Sequence, residues 1–276
     1  MTNNIAFPSL GLSFNINRTA FTIFGKEIYW YALIIALGFI LGLLYVLHIA
    51  KKQNINTDNI YDIAIGGLIF GILGARIYYV IFDRSVLDGN FLNFFKIWEG
   101  GIAIYGGIIG AAIFALIYCR RKKLDTLAIF DVCAYGLLIG QCIGRWGNFV
   151  NAEVYGTATG SFLGMSINGD APVHPLFLYE SLWNLIGFIL IVLLRRFKKR
   201  NGQIFFSYIL WYSTGRLFLE GMRQNDYILY LIPPENGFIP FSVGISQIVA
   251  LIAIISSVII LVYMHKSDSQ IVDANK

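Results

Sequence analysis

Seven long apolar runs constrain this sequence more than any other feature. Each run is close to or above the roughly 20 residues that a helix needs to cross a hydrocarbon core of about 30 Å. Charged residues make up only 13% of the 276-residue chain and hydrophobic residues 57%, whereas soluble domains are about 25% charged. The pattern predicts an all-α integral membrane protein with about seven transmembrane helices, at residues 28–50, 60–82, 101–119, 126–144, 176–194, 203–222 and 241–264.

The distribution of basic residues predicts the topology. Clusters of Lys and Arg follow the first, third, fifth and seventh runs, and the alternate connections carry few. Because cytoplasmic loops are enriched in these residues, we expect an outside N-terminus, a cytoplasmic C-terminus and external loops near 83–100, 145–175 and 223–240. The net charge of +5 is therefore assigned to topology and not to a nucleic-acid partner. No repeat or change of composition divides the sequence, so we expect a single polytopic domain, residues 1–276.

Three arginines, Arg76, Arg145 and Arg216, lie inside or at the end of apolar runs. An arginine in the middle of a membrane costs about 2.5–3.5 kcal/mol even on the most lenient scale, so it normally faces a polar cavity or a partner. A buried structural ion pair is the plainer interpretation of any one of them. Three such residues together favour a polar cavity within the helices.

The sixth run carries a polar stripe of Tyr212, Arg216, Glu220 and Arg223. At 100° per residue these positions project within about 80° of arc on one helix face. Glu220 is one turn from Arg216, so it can orient or neutralise a guanidinium group instead of acting on a ligand. The stripe is thus either one wall of a binding site or an internal Arg-Glu-Arg clamp.

A glycine-rich segment, residues 144–156 (GRWGNFVNAEVYG), ends the fourth run and begins the longest external loop. It combines Arg145, Asn148, Asn151 and Glu153 with glycines, which allow close approach of backbone to a ligand. A planar guanidinium group binds phosphate oxygens in bidentate fashion. The segment predicts a site for a phosphorylated ligand at the external membrane face, although a transport pathway would account for the same residues.

Several other positions allow two interpretations. Small residues at helical spacing favour close helix packing; they are Gly67, Gly71, Ala75, Gly106 and Gly110. Tyr105 is either an interfacial anchor or a hydroxyl that lines the cavity. His174 lies before the fifth run and is either a residue of the helix start or a proton carrier. The three cysteines lie in or beside apolar runs and are expected to be structural.

The quoted segments resemble the prolipoprotein diacylglyceryl transferase family of bacterial membranes. Residues 144–156 match the family signature position by position, and the likeness extends over nearly the whole chain. The other matching segments are Trp30-Tyr31, 74–76 (GAR), 98–101 (WEGG), 105–107 (YGG), His174-Pro175 and 215–226 (GRLFLEGMRQND).

The resemblance implies an enzyme of the bacterial cell membrane. It would transfer the sn-1,2-diacylglyceryl group of phosphatidylglycerol to the lipobox cysteine of a preprolipoprotein, forming a thioether and releasing glycerol 1-phosphate. It would need no cofactor or metal, and its partners would be the phospholipid, the signal peptide and the bilayer. The resemblance places catalytic roles at Arg145, Arg216, Tyr105, Glu153 and His174, and lipid binding at Arg145, Asn148, Asn151, Gly156, Tyr31, Tyr212, Glu220 and Arg76.

Tyr105 departs from the family pattern, because many members have histidine before this glycine pair. A tyrosine hydroxyl, with a pKa near 10, is a poor base at neutral pH. Tyr105 is therefore expected to hydrogen-bond the lipid headgroup, and Glu153 or His174 to accept the proton. The sequence leaves the choice between these two open.

Three other classes are less consistent with the sequence. A secondary transporter of a phosphorylated or anionic solute is the main alternative, but such folds usually contain two related halves, and none is visible. An intramembrane protease would need a serine nucleophile or a pair of aspartates, whereas Asp131 stands alone in the fourth run. A metalloenzyme is not indicated, because the three histidines have no ligand spacing.

Overall fold

Long apolar helices dominate the computed structural model, which describes residues 2–88, 90–224, 228, 230–232 and 243–274. Among these residues, six helices are long and apolar enough to cross a membrane. Together with α6 they lie at the seven predicted runs, which confirms an all-α membrane protein. The helices are α1 (Trp30–Lys52), α2 (Thr57–Phe82), α3 (Ile104–Arg121), α4 (Thr126–Asn151), α5 (Leu176–Leu194), α6 (Gln203–Glu220) and α7 (Ile245–Ala274).

Helix α6 is the long helix that is not apolar enough to count among those six. It spans 18 residues, but Arg216 and Glu220 lie in its last two turns. Glu220 is 1% exposed, so this polar end points into protein and not into lipid. A helix that buries charges among its neighbours needs less overall apolarity than one that contacts hydrocarbon.

The start of the longest predicted loop differs from the structure. The loop expected at 145–175 begins only after Asn151, because α4 continues for seven residues beyond the predicted end at 144. Its last two turns are polar and glycine-rich, and tertiary packing overrides their weak helix propensity. The loop expected at 83–100 consists of three short 3₁₀ turns. Most of the loop expected at 223–240 lies outside the described residues.

Residues 2–29 form mainly β-structure, which the apolar runs do not predict. β1 (Thr2–Phe7) pairs antiparallel with β2 (Leu12–Asn17) and with the short β5 (Ser166–Ile167), in the order β2-β1-β5. β3 (Thr19–Ile23) and β4 (Lys26–Tyr29) form a second hairpin. β6 (Tyr230–Ile232) pairs with β7 (Val243–Gly244). Alternation of apolar and polar residues along β2 is the period-two signal of a strand.

The first hairpin anchors the end of α4. Ile5 is fully buried and forms a small core with Met165 and Phe177, against which Phe149 of α4 packs. The Phe149 and Phe177 rings lie 4.6 Å apart between centroids. In addition, Nη2 of Arg18 donates a hydrogen bond to the backbone oxygen of Asn151 at 2.5 Å. The last turn of α4, which carries much of the signature segment, is therefore held in place from outside the helices.

The contacts divide the chain into two compact units. One unit contains Met1–Tyr45 and Asp131–Lys276, and the other contains Val46–Phe130. The single-domain expectation stays a prediction, as does the orientation of the two termini.

Within the larger unit, Asp131 of α4 fixes the start of α6. Its carboxylate is fully buried and accepts hydrogen bonds from the backbone N–H groups of Gly202 and Phe205, both at 2.8 Å. Lys198 Nζ lies 2.9 Å from Oδ2. Asp131 thus acts as a helix cap supplied by a neighbouring helix.

In the smaller unit, α2 and α3 pack closely through glycines. A methyl group added at Gly74 would overlap the backbone oxygen of Gly106 and lie 3.0 Å from Cα of Gly110. The predicted small-residue packing surface is confirmed for Gly71, Gly106 and Gly110. Close backbone contact of this kind stabilises helix pairs in lipid, where no hydrophobic effect acts between helices.

We expect Gly74→Ala to lower the free energy of unfolding by about 1–3 kcal/mol, because overpacking forces the two backbones apart. Gly67→Ala is the matched control, since its added methyl group would lie 4.0 Å from Cβ of Ala111. Both changes raise helix propensity equally, so their difference isolates the interhelical contact. Thermal unfolding in detergent measures it, and equal midpoints for the two variants would contradict the prediction.

Candidate active site

Five charged side chains meet in the larger unit. They come from α4, α5, α6 and, in the case of Arg223, from the segment that follows α6. Arg145 Nε lies 2.5 Å from Glu180 Oε2, and Arg223 Nη2 lies 3.0 Å from Glu180 Oε1. Arg216 Nη2 lies 2.9 Å from Glu220 Oε2, and Arg223 Nε lies 3.4 Å from the same atom. We call Arg145, Glu180, Arg216, Glu220 and Arg223 the arginine cluster.

The arginine cluster is largely removed from solvent, but not uniformly. The side chains of Arg145 and Arg216 are 22% and 19% exposed, whereas the Glu220 side chain is 2% exposed. The two glutamate side chains are therefore more deeply buried than the guanidinium groups of Arg145 and Arg216. Three guanidinium groups face two carboxylates, which leaves the cluster with an excess of positive charge.

Arg223 is the most enclosed of the three arginines. Burial lowers the pKa of its guanidinium group, as does the nearby charge of Arg216, while Glu180 and Glu220 act in the opposite direction. A guanidinium group nevertheless remains charged at any physiological pH. Arg223 therefore acts as a permanent counter-charge beside Glu180 and Glu220.

Two tryptophans fix the register of α5 against α6. Trp183 Nε1 donates to the backbone oxygen of Trp211 at 3.0 Å, and Trp211 Nε1 donates to that of Trp183 at 2.9 Å. The two rings stack with centroids 4.3 Å apart. Glycines 187 and 215 make room, because a methyl group at either would overlap one of the indoles. This reciprocal clamp holds Glu180 of α5 level with the charged end of α6.

Glu153 forms a second polar group in the signature segment. Its Oε1 accepts hydrogen bonds from the side-chain amides of Asn148 at 3.1 Å and Asn151 at 3.3 Å. Among the described residues, its Oε2 has no such partner. The carboxylate is half-buried and is therefore oriented through one oxygen while the other stays accessible.

The backbone on both sides of Glu153 is strained. Ala152 and Val154 have φ angles of 52° and 55°, in the left-handed region that β-branched residues such as valine rarely adopt. The backbone N–H of Glu153 donates to the oxygen of Asn148 at 3.0 Å. Strain of this kind persists only where the surroundings impose it, and it is concentrated at functional sites.

Gly156 and His174 bring three loop segments together. The Gly156 N–H donates to the backbone oxygen of His174 at 2.9 Å, and the Thr157 N–H donates to that of Met222 at 2.9 Å. A methyl group at Gly156 would lie 2.6 Å from Cβ of His174, so these contacts require glycine. His174 Nδ1 lies 3.4 Å from the Tyr179 hydroxyl. Gly156 therefore has a packing function that is independent of its predicted role in lipid binding.

The two predicted tyrosines of this unit lie beside the charged groups. The ring of Tyr31 packs on Gly147, where an added methyl group would lie 2.7 Å from its Cδ2. The Tyr31 hydroxyl interacts electrostatically with the charges of Glu153 and Arg145. Tyr212 lines a cleft between α5 and α6 together with Arg216 and Glu180.

Arg76 lies in the smaller unit and has backbone partners. It is 2% exposed and donates to the backbone oxygens of Phe94 (2.8 Å), Asn93 (2.6 Å), Gly100 (2.8 Å) and Gly101 (2.9 Å). These contacts tie the connection between α2 and α3 to α2, which is a structural role. Lipid binding by Arg76 stays a prediction that its contacts do not favour. Tyr105, in the first turn of α3, also lies in the smaller unit.

We expect Arg76→Gln to destabilise the protein by about 3 kcal/mol or more, because hydrogen bonds to a charged donor contribute about 1.5–3 kcal/mol each. The unfolding midpoint in detergent should fall by several degrees. Arg84→Gln is the control, since Arg84 is exposed on the same connection. An unchanged midpoint for Arg76→Gln would show that the carbonyl contacts do not stabilise this unit.

Sequence similarity to known proteins extends over almost the whole chain. The family model described as prolipoprotein diacylglyceryl transferase matches residues 18–263. The chain belongs to the prolipoprotein diacylglyceryl transferase family. It is thus a member of a bacterial membrane enzyme family and a multi-pass protein, as the sequence predicted.

Three relatives illustrate the extent of the match, and each is named phosphatidylglycerol–prolipoprotein diacylglyceryl transferase. The protein of Ligilactobacillus salivarius is 40% identical over 267 residues, which cover 92% of this chain and 95% of the relative. That of Clostridioides difficile is 39% identical, with 92% and 97% covered. That of Listeria monocytogenes serotype 4b is 40% identical, with 90% of each covered.

The family signature and the arginine cluster overlap at Arg145. Of the site residues predicted from the sequence, the structure brings Arg145, Arg216 and Glu220 into this cluster. It groups Asn148 and Asn151 around Glu153 on the same helix end. The roles of all these side chains in catalysis or lipid binding stay predictions.

Glu180 is the residue that sequence reasoning missed. It contacts all three arginines of the cluster, with Arg216 Nη1 at 3.8 Å from its Oε1. A carboxylate inside an otherwise apolar run is a signal of the same kind as the three arginines. Glu180 is the fifth residue of the fifth run, and a charge so close to the end of a run is also typical of a residue at the membrane interface. Among the described residues, no group of three or more His, Cys, Asp or Glu is placed to hold a metal ion.

Proposed function

We propose that this chain transfers the sn-1,2-diacylglyceryl group of phosphatidylglycerol to the cysteine thiol of a prolipoprotein in the bacterial cell membrane. Family membership supports the overall reaction. The observation that carries the assignment of the site is the set of unused guanidinium donors in the arginine cluster. Arg216 Nη1 is buried without a hydrogen-bond partner among the described residues, and Arg145 contacts Glu180 through its Nε.

These donors suit the phosphate of the lipid. A guanidinium group that has N–H donors beyond those hydrogen-bonded to carboxylates can bind phosphate oxygens. Glu180 and Glu220 hold the two guanidinium groups in place and offset part of their charge, so the site remains stable in the absence of lipid. The excess positive charge of the cluster then favours an anionic headgroup.

The same donors assist the bond cleavage. The cysteine sulfur of the prolipoprotein attacks C3 of the diacylglyceryl group, and the bond between that carbon and the phosphate oxygen breaks. The thioether forms and glycerol 1-phosphate leaves with the bonding electrons. Negative charge grows on the leaving phosphate, where preorganised cationic donors stabilise the transition state most.

The thiol must also lose its proton. Its ordinary pKa is near 8.5, so a base increases the thiolate fraction at neutral pH. We assign this role to Glu153, because Asn148 and Asn151 orient one of its oxygens and leave the other accessible. His174 contacts Tyr179 and the backbone of the 156–157 segment, which gives it a place in holding the loop.

The experiment that tests the function uses purified protein in detergent with phosphatidylglycerol and a lipobox peptide. Glycerol phosphate release and peptide mass are followed together, and a peptide with serine in place of the cysteine is the control. We expect both signals with the cysteine peptide only. If a well-folded preparation yields neither signal, the transferase assignment fails and transport of a phosphorylated solute takes its place.

A further inference from the structure

A buried amide in the cleft between α5 and α6 has no role in the arginine cluster. Asn184 is 3% exposed, and its Oδ1 has no hydrogen-bond partner in the part of the chain that the structure describes. An unpaired buried acceptor costs free energy, so a native structure normally supplies a partner. A molecule that enters the cleft, either water or part of a ligand, can supply this partner.

The residues around Asn184 identify what can enter. The cleft is lined by Glu180, Trp183, Asn184, Tyr212, Gly215, Arg216 and Leu219. Arg216 Nη1 is a buried donor without a hydrogen-bond partner among the described residues, and Asn184 Oδ1 is a buried acceptor. A ligand that satisfies both carries an acceptor oxygen, which a guanidinium group binds most strongly when that oxygen is anionic, and a hydroxyl or amine hydrogen.

A phosphate group alone does not complete this cleft. A phosphodiester offers only acceptor oxygens, so it can satisfy Arg216 but not Oδ1 of Asn184. An ammonium headgroup has donors, but it would approach a cluster in which guanidinium groups outnumber carboxylates. A neutral hydroxyl meets no such repulsion. The complement of the cleft is therefore a phosphodiester whose alcohol part carries a free hydroxyl group.

We propose that Asn184 accepts a hydrogen bond from a hydroxyl of the glycerol headgroup while Arg216 binds the adjacent phosphate, so that Asn184 determines headgroup specificity. This inference rests on the proposed function. The Trp183–Trp211 clamp supports it structurally, because it holds Asn184 of α5 at a fixed height opposite Tyr212 and Gly215 of α6. A buried acceptor selects against ligands that lack the matching donor, because such ligands leave it unpaired.

The test compares phosphatidylglycerol with phosphatidylpropanol, which has the same phosphodiester and a three-carbon headgroup without hydroxyls. The hydroxyls lie away from the phosphorus, so both lipids have leaving groups of similar quality. We expect the wild-type protein to use phosphatidylpropanol with a kcat/KM about 10-fold or more below that for phosphatidylglycerol. Asn184→Leu should lower kcat/KM for phosphatidylglycerol to that level and leave the value for phosphatidylpropanol unchanged.

Controls separate this role from a structural one. Leu185→Ala changes the next residue, which is 43% exposed on the outside of α5, and should preserve the preference. If Asn184→Leu fails to insert, Asn184→Ser, which retains a shorter acceptor, should show a reduced preference. An equal loss with both lipids, no loss with either, or a wild-type protein that does not distinguish the lipids would each overturn the proposal. A wild-type protein inactive with every phospholipid would instead refute the proposed function itself.

Discussion

Arg216→Ala lowers kcat/KM for diacylglyceryl transfer by about 100-fold or more, because removing one preorganised donor from a developing anion typically costs about 10²–10³. Arg145→Ala should have an effect of similar size. Arg216→Lys should restore little, since an ammonium group keeps the charge but not the planar fork of donors. The measurement is the rate of glycerol phosphate release with purified variants in detergent.

The arginine cluster explains why these variants should still fold. Without Arg145, Glu180 keeps Arg223 at 3.0 Å, and without Arg216, Glu220 keeps Arg223 at 3.4 Å. No buried carboxylate is then left without a counter-charge, which is the change that destabilises most. Arg196→Ala, at an exposed position after α5, is the control. Near-normal turnover by Arg145→Ala or Arg216→Ala would assign that arginine a purely structural role.

Glu153→Gln is expected to slow transfer by about 100-fold at pH 7, within the range of about 10²–10⁴ that general base catalysis contributes. Glutamine keeps an oxygen that can accept from Asn148 and Asn151, so the local structure should survive. The variant loses only the ability to take up a proton. The defect should appear in kcat more than in KM, because the lipid-binding groups are unchanged.

The pH dependence distinguishes a base from a structural group. The free thiol ionises with a pKa near 8.5, so raising the pH from 7 to 9 supplies thiolate without help from the enzyme. The defect of Glu153→Gln should therefore shrink markedly at pH 9, whereas a structural defect would persist. His174→Asn and the exposed Glu27→Gln are run in parallel. A larger and more pH-sensitive loss in His174→Asn would transfer the role of base to His174.

The sequence alone predicted the helices well, because hydrocarbon imposes a simple physical requirement. Long apolar runs must form helices that satisfy their own backbone hydrogen bonds, and α5 occupies the predicted 176–194 without a shift. The N-terminal strands could not be predicted in this way. Their signal is a weak alternation over a few residues, and their pairing with β5 joins positions more than 150 residues apart.

The candidate site was predicted in part for the same reason. Charged residues in an apolar run are expensive, so Arg145, Arg216 and Glu220 could be identified without a structure. The extension of α4 to Asn151 could not be foreseen, because glycine and asparagine are poor helix formers. Tertiary contacts, among them the packing of Phe149 on Phe177 and the hydrogen bond from Arg18, stabilise the final turn. The unpaired acceptor of Asn184 could not be predicted for a similar reason, since the sequence does not indicate which groups surround one asparagine in the folded protein.

By itself, therefore, the sequence determined that this is a membrane protein and which segments form its long helices. It also indicated that charged residues inside apolar runs need polar partners or a function. Each of these follows from the cost of placing a residue in hydrocarbon, which depends on the residue and its immediate neighbours. Only the tertiary structure decided which charges meet. Glu180 joins Arg145, Arg216 and Arg223 because the Trp183–Trp211 clamp sets the register of α5 against α6, and Arg76 binds carbonyl groups of a loop instead. Such pairings depend on interhelical distances of a few ångströms, which no local pattern of residues encodes.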